Sequence, residues 1–100
     1  MADKSATVAK KLLYWLVVGS RGGANRARIL MLLKERPMNT QQISDALALD
    51  YKTVQHHLDL LKKNTLLDNV GEGYGKGYTL SPDMEAMADE LPKLFKIRKK

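Results

Sequence analysis

Between residues 51 and 63 the chain reads Tyr-Lys-Thr-Val-Gln-His-His-Leu-Asp-Leu-Leu-Lys-Lys. On a helix turning about 100° per residue, Lys52, Gln55, His56, Asp59, Lys62 and Lys63 fall on one side. Cations, an amide and a carboxylate on one ridge suit noncovalent work: they hydrogen-bond polar edges and neutralise a polyanion. Val54, Leu58 and Leu61, at spacings of four and three, take the opposite side and face a core. A helix of this kind fits the major groove of duplex DNA.

Such a ridge needs a scaffold, and the preceding residues supply one. Leu47 and Leu49 close the apolar stripe of a shorter helix that starts at Thr40 and runs to Leu47. Asp50 offers its carboxylate to the free amides of the next helix and is the expected N-cap. Residues 40 to 63 therefore form a helix-turn-helix, with the second helix, 51–63, as the reading element. Upstream, Ala24 to Glu35 is a helix with an apolar face of Ile29, Leu30, Leu32 and Leu33, and with Arg26, Arg28 and Lys34 outside it. Pro37 ends it. Downstream, Leu66 to Val70 reads as a strand, residues 71–77 as a turn and Tyr78 to Leu80 as the returning strand. Gly71, Gly73, Gly75 and Gly77 give that turn its conformational freedom. Three helices followed by a hairpin make a winged helix-turn-helix. The fold class expected is mainly α with a small β-hairpin (α+β).

Charge agrees with a polyanionic partner. Seventeen Lys and Arg against eleven Asp and Glu give a net charge of +6 and a pI near 9.7, which favours binding by counterion release. The excess is concentrated where it matters, because Arg21, Arg26, Arg28, Lys34, Arg36, Lys52, Lys62 and Lys63 outnumber Glu35, Asp45, Asp50 and Asp59 between residues 20 and 63.

A winged unit from Ala24 to Leu80 is small for independent stability, so its flanks must add core. Asp3 to Val18 is helical in composition, and its Leu12 to Val18 run is apolar all round, which implies burial on more than one side. The closing segment begins with Ser81-Pro82 and acidic Asp83 and Glu85, suited to a helix start. It carries Met84, Met87, Leu91, Leu94 and Phe95 at intervals of three and four. Pro92 is expected to kink or split it. The expected organisation is an N-terminal dimerisation helix over residues 1–20, a DNA-binding winged helix over 21–80, and a C-terminal helix with dimerisation and basic-tail roles over 81–100. Leu12, Leu13, Tyr14, Trp15, Leu16, Met87, Leu91, Leu94 and Phe95 are the expected dimer interface. Two-fold symmetry would set two reading helices one DNA turn apart, about 34 Å.

At the DNA, Thr40 is the expected cap of the first helix of the motif, and its first-turn amides with Asn39, Gln41 and Gln42 would hold a phosphate. Gln55 suits adenine, Lys52 guanine, and Thr53 thymine or a phosphate. Asp59 is expected to orient Lys62 or Lys63 rather than accept from cytosine. His56 is an exposed contact, and His57 a partly buried residue bonded to a carbonyl. Tyr74 and Lys76 at the wing tip would lie along the backbone or enter the minor groove.

Other classes of function fit less well. There is no cysteine, so thiolate metal sites and disulfides are excluded. Adjacent His56 and His57 point about 100° apart and do not chelate one ion together; no metal or cofactor is expected. No phosphate loop feeds a helix and no nucleophile motif is present, so the chain is not read as an enzyme. The apolar run is too short to span a bilayer, which takes about 20 residues. A secretory signal layout is lacking, which makes the cytoplasm the expected location. The alternative reading is a winged-helix protein-interaction module in a transcription or chromatin assembly.

Several stretches together resemble the archaeal winged-helix transcriptional regulators of the ArsR-like group. They are Arg21-Gly22-Gly23-Ala24-Asn25-Arg26-Ala27-Arg28-Ile29-Leu30, Glu35-Arg36-Pro37-Met38-Asn39, Leu49-Asp50-Tyr51-Lys52-Thr53-Val54-Gln55-His56-His57-Leu58 and Gly73-Tyr74-Gly75. The resemblance implies a dimeric regulator that binds double-stranded DNA. It also implies that Tyr51, Lys52, Thr53, Gln55 and His56 belong to the recognition helix and that residues 73–76 form the wing. Because cysteine is absent, the likeness does not extend to thiolate metal sensing.

Overall fold

Capping chemistry sets where the central helices begin. A computed structural model describes residues 4–71 and 76–99, and the side chains of residues 8–71, 76–94 and 96. Helix α1 (Lys4–Tyr14) runs directly into a π-helical turn (Trp15–Gly19), followed by α2 (Gly23–Glu35), α3 (Thr40–Leu47) and α4 (Tyr51–Lys63). Asp50 caps α4 as expected, its carboxylate accepting from the Thr53 amide at 3.3 Å. The cap of α3 is Asn39, not Thr40. Asn39 and Gln42 bond each other's backbone amides in a capping box, with distances of 2.8 and 2.9 Å. Asparagine at the N-cap satisfies an orphan amide as well as threonine does, and the reciprocal Gln42 bond makes it the better choice here.

After α4 the chain forms the hairpin β1 (Leu67–Val70) and β2 (Gly77–Leu80), antiparallel with Leu67 opposite Leu80 and Asn69 opposite Tyr78. Met38, in the loop before α3, adds a bridge to Tyr78 through two backbone hydrogen bonds of 3.1 and 2.8 Å. Gly77, expected in the turn, pairs with Val70 in the hairpin, and the Met38 bridge explains why it is a glycine. A Cβ there would stand 3.2 Å from the Met38 carbonyl, tighter than ordinary contact.

The flanks complete the core of a single copy. Leu13, Leu16 and Val17 are sealed against Ile29 and Leu30, while Val54, Leu58 and Leu61 of α4 join Leu66, Leu67, Met84 and Leu91 in the same cluster. Each fully buried side chain of this size stabilises the fold by about 1.5–3 kcal/mol relative to exposure, which answers the small-domain deficit. Leu13, Leu16, Met87, Leu91 and Leu94 are thus core residues of one copy, a correction to their expected place in a dimer interface.

The opening helix was expected to be α-helical to Val18, but it widens after Tyr14. The widening lets the next turn close on α2, where a Cβ on Gly23 would lie 2.1 Å from the Val17 carbonyl oxygen. After β2, Ser81 caps α5 (Pro82–Ala86) by accepting from the Met84 amide at 3.2 Å. A 3-10 turn (Ala88–Glu90) leads into α6 (Leu91–Lys99). The expected split is present, with Pro92 in the first turn of α6, where its missing N–H leaves no helical bond unmade.

Candidate nucleic-acid interface

Helix α4 buries Val54, His57, Leu58 and Leu61, and Leu60 packs partly against the same core. Tyr51 is 49% exposed, and Lys52, Thr53, His56, Asp59, Lys62 and Lys63 are also exposed. Nothing among the described residues covers this ridge. Beside it, the start of α3, α4 and the two strands enclose an open cleft of about 510 Å³, bordered by Gln41, Tyr51, Lys62, Lys76 and Tyr78. Lys76 is exposed at the base of the wing, while Tyr74 lies outside the described residues.

Gln55 differs from its neighbours because its amide is already engaged. Its Oε1 accepts from the Thr40 hydroxyl at 2.8 Å; its Nε2 donates to Asp59 Oδ1 at 2.9 Å and to the Tyr78 hydroxyl at 3.0 Å. The Asp59 carboxylate fixes this orientation, since the reversed amide would set oxygen against oxygen. Two expectations are corrected here. Thr40 is buried and its hydroxyl serves Gln55, which leaves only its backbone amide for a phosphate. Asp59 holds Gln55 rather than a lysine, and Lys62 instead donates to the Asn69 side chain on β1.

At the start of α3, the side chains of Asn39 and Gln42 belong to the cap, and Gln41 donates to Asp45 at 2.9 Å. By position in the first turn, the Thr40 and Gln41 amides have no intrahelical acceptor and point out of the helix end.

On the hidden side of α4, His57 is buried, but its partner is a guanidinium and not a carbonyl. Arg26 Nη1 meets His57 Nδ1 at 3.2 Å. An arginine only donates, so Nδ1 accepts and the ring proton sits on Nε2. Burial, reinforced by the Arg26 charge and then by His56, pushes the His57 pKa below its ordinary 6.5. The same guanidinium donates to the Leu16 carbonyl at 2.8 Å, the Ser20 hydroxyl at 2.6 Å and the Arg21 carbonyl at 2.7 Å. Arg26 was expected on the outer surface of α2 and is in fact 3% exposed. It joins the π turn, α2 and α4.

Sequence reasoning did not single out Tyr78 or Asn69, which stand opposite each other in the hairpin and reach Gln55 and Lys62 respectively. A polar pair in register across a strand predicted to border the reading helix was the available signal. Of the expected self-association residues, Tyr14 and Trp15 remain exposed, at 48% and 56%. Leu12 is half-buried, and the Phe95 side chain lies outside the described ones.

Residues 24–68 match the family described as bacterial regulatory protein, arsR family. No curated protein gives a significant sequence match. Among solved structures, HlyU from Vibrio cholerae is 25% identical with a TM-score of 0.70, the match covering 95% of this chain and 99% of that one. A probable transcriptional regulator from Pseudomonas aeruginosa is 20% identical with a TM-score of 0.70, over 96% and 75% of the two chains. The homodimeric winged helix-turn-helix DNA-binding domain Mb0332 from Mycobacterium bovis, a possible ArsR-family transcriptional regulator, is 19% identical with a TM-score of 0.60, over 99% and 84%.

Proposed function

We propose that this chain, which carries the helix-turn-helix domain of the ArsR regulatory family across residues 24–68, is a transcriptional regulator that binds double-stranded DNA sequence-specifically as a homodimer. The observation that carries the reading is the uncovered outer face of α4, where Lys52, Thr53, His56, Lys62 and Lys63 are all exposed while the aliphatic side is sealed in the core. In this account α4 enters the major groove, Lys52 reads guanine and Thr53 thymine or phosphate, and Gln55 reads adenine once its amide is released. Tyr51 and His56 flank these contacts, and Lys62 and Lys63 neutralise phosphates. The α3 end with Gln41 fixes register on the backbone, and the wing, with Tyr74 and Lys76, follows the backbone or minor groove.

Self-association rests on Tyr14 and Trp15 with Leu12, and with Phe95 as a further candidate. We place the dimerisation helix within residues 1–20, the reading domain within 21–80 and the closing helix and basic tail within 81–100. The Asp-Tyr-Lys-Thr-Val-Gln-His-His-Leu stretch supports assignment to the archaeal branch of the group, and a role at DNA fits the cytoplasm as the site of action. The role is regulatory and not catalytic.

Gel-shift titration across a salt series tests the reading. The wild-type chain should lose affinity steeply as salt rises, and Lys76→Ala should flatten the log–log slope by about one. Salt-independent binding, or none to any duplex, would instead favour a protein-interaction module.

A further inference from the structure

The Gln55 amide has two N–H groups, and both are occupied within the protein, one by Asp59 and one by Tyr78. Its oxygen accepts from Thr40 and keeps a second lone pair. A bidentate contact with adenine requires one N–H for the base N7 and one oxygen lone pair for the exocyclic amine. The oxygen meets that demand without change, but the N–H does not. One internal acceptor has to let go. The Asp59 carboxylate is the stronger acceptor, because a bond to an ionised group is roughly twice as strong as one to a neutral hydroxyl. The bond to Tyr78 is therefore the one exchanged.

We propose that Tyr78 is a specificity-determining positioning residue: its hydroxyl holds the second Gln55 N–H in competition with the DNA base, so that adenine readout by α4 requires release of Gln55 from the wing strand. Tyr78 lies in β2, held to Met38 by backbone bonds of 3.1 and 2.8 Å, and stands opposite Asn69, which engages Lys62 of the same helix. The wing and the reading helix are thus joined at two points. Seating the wing on DNA and freeing the base-reading amide become parts of one rearrangement. Without an adenine at that position, Gln55 keeps its internal partners and the duplex gains nothing from it. This inference rests on the DNA-reading function proposed above and adds the residue that gates it.

The test compares wild type, Tyr78→Phe, Gln55→Ala and the double variant on three duplexes: a selected binding sequence, the same sequence with the Gln55-contacted adenine replaced, and an unrelated sequence. Tyr78→Phe should bind the selected sequence about twofold to tenfold more tightly, the worth of one net neutral hydrogen bond. It should leave the other two duplexes unaffected, and the gain should vanish in the Gln55→Ala background. Equal or weaker binding of Tyr78→Phe to the selected sequence overturns the inference, as does the same gain on every duplex. A wild-type chain that discriminates no sequence overturns the DNA-reading function itself, a result distinct from the other two.

Should Tyr78→Phe fail to fold, nuclear magnetic resonance of the wild type decides. One of the two Gln55 side-chain amide protons should shift on adding the selected duplex, and neither on adding the unrelated one. Gln55 amide signals unmoved by the selected duplex overturn the inference.

Discussion

Arg26 Nη1 lies 3.2 Å from His57 Nδ1 in the buried seam between α2 and α4. Burial of the ring, with a cation facing it, disfavours a second charge at this seam. The folded-state pKa of His57 is lowered from its ordinary 6.5 by burial and then by Arg26, so between the lowered value and 6.5 the unfolded chain binds a proton that the native one refuses. Stability from this site is fully present above about 6.5 and is lost as pH falls through the folded value. Chemical denaturation across pH 5 to 8 should show wild type weakening on acidification, and His57→Gln, whose carbonyl still accepts from Arg26, should lack that component. Parallel profiles for the two proteins would refute the assignment.

Arg26→Ala should destabilise the fold by about 2–4 kcal/mol, because it removes the guanidinium donor from the Arg21 carbonyl and the His57 nitrogen and leaves the Leu16 carbonyl with only the longer 3.4 Å bond from the Ser20 hydroxyl. Arg26→Lys should recover little, since one ammonium does not span the guanidinium's fork. Urea midpoints measure both; a loss under about 0.5 kcal/mol for Arg26→Ala, the level of an ordinary surface change, would contradict the role given to this junction.

The same arginine shows where the sequence was silent. The 3.6-residue period that placed Val54, Leu58 and Leu61 inward depends only on neighbours along one helix, and the Asp50 cap only on the four residues from Asp50 to Thr53, so both were legible. Arg26 sits at the edge of its helix's apolar stripe, and whether it faces water or a junction depends on a π turn closing over it from residues 15–19. That closure is a tertiary event. Gln55 is a similar case: its position on the ridge follows from spacing, but its engagement by Thr40, Asp59 and Tyr78 needs the hairpin to fold back across α4. Of the apolar flank residues, Leu13, Leu16, Val17, Met84 and Leu91 form core whereas Tyr14 and Trp15 stay exposed; the partition between one copy's core and an outer face had no periodic signature, because both uses demand the same residue types.

Gly23→Ala should be among the most damaging single changes outside the α4 ridge. Its Cβ would lie 2.1 Å from the Val17 carbonyl oxygen, so the π turn and α2 must separate to admit it. A loss of about 2 kcal/mol or more in thermal or urea unfolding is expected for backbone displaced from a packed core. An unperturbed melting temperature would mean that this close approach is not required.

Trp15→Glu places a carboxylate on a side chain that is 56% exposed in one copy. It should leave the fold intact by circular dichroism while shifting sedimentation from dimer to monomer at micromolar concentration, and operator affinity should fall with it as the second reading head is lost. A stable Trp15→Glu dimer would move the self-association surface away from the opening helix.

Selection of bound duplexes from a random pool by the wild-type protein measures base reading by α4 without assuming an operator. The account expects an enriched sequence with two-fold symmetry, its half-sites separated by about 10 base pairs or a multiple, and loss of base preference within each half when the Lys52, Thr53 and Gln55 face is replaced by alanine. A pool that stays unenriched, or a preference unchanged by those substitutions, would contradict it.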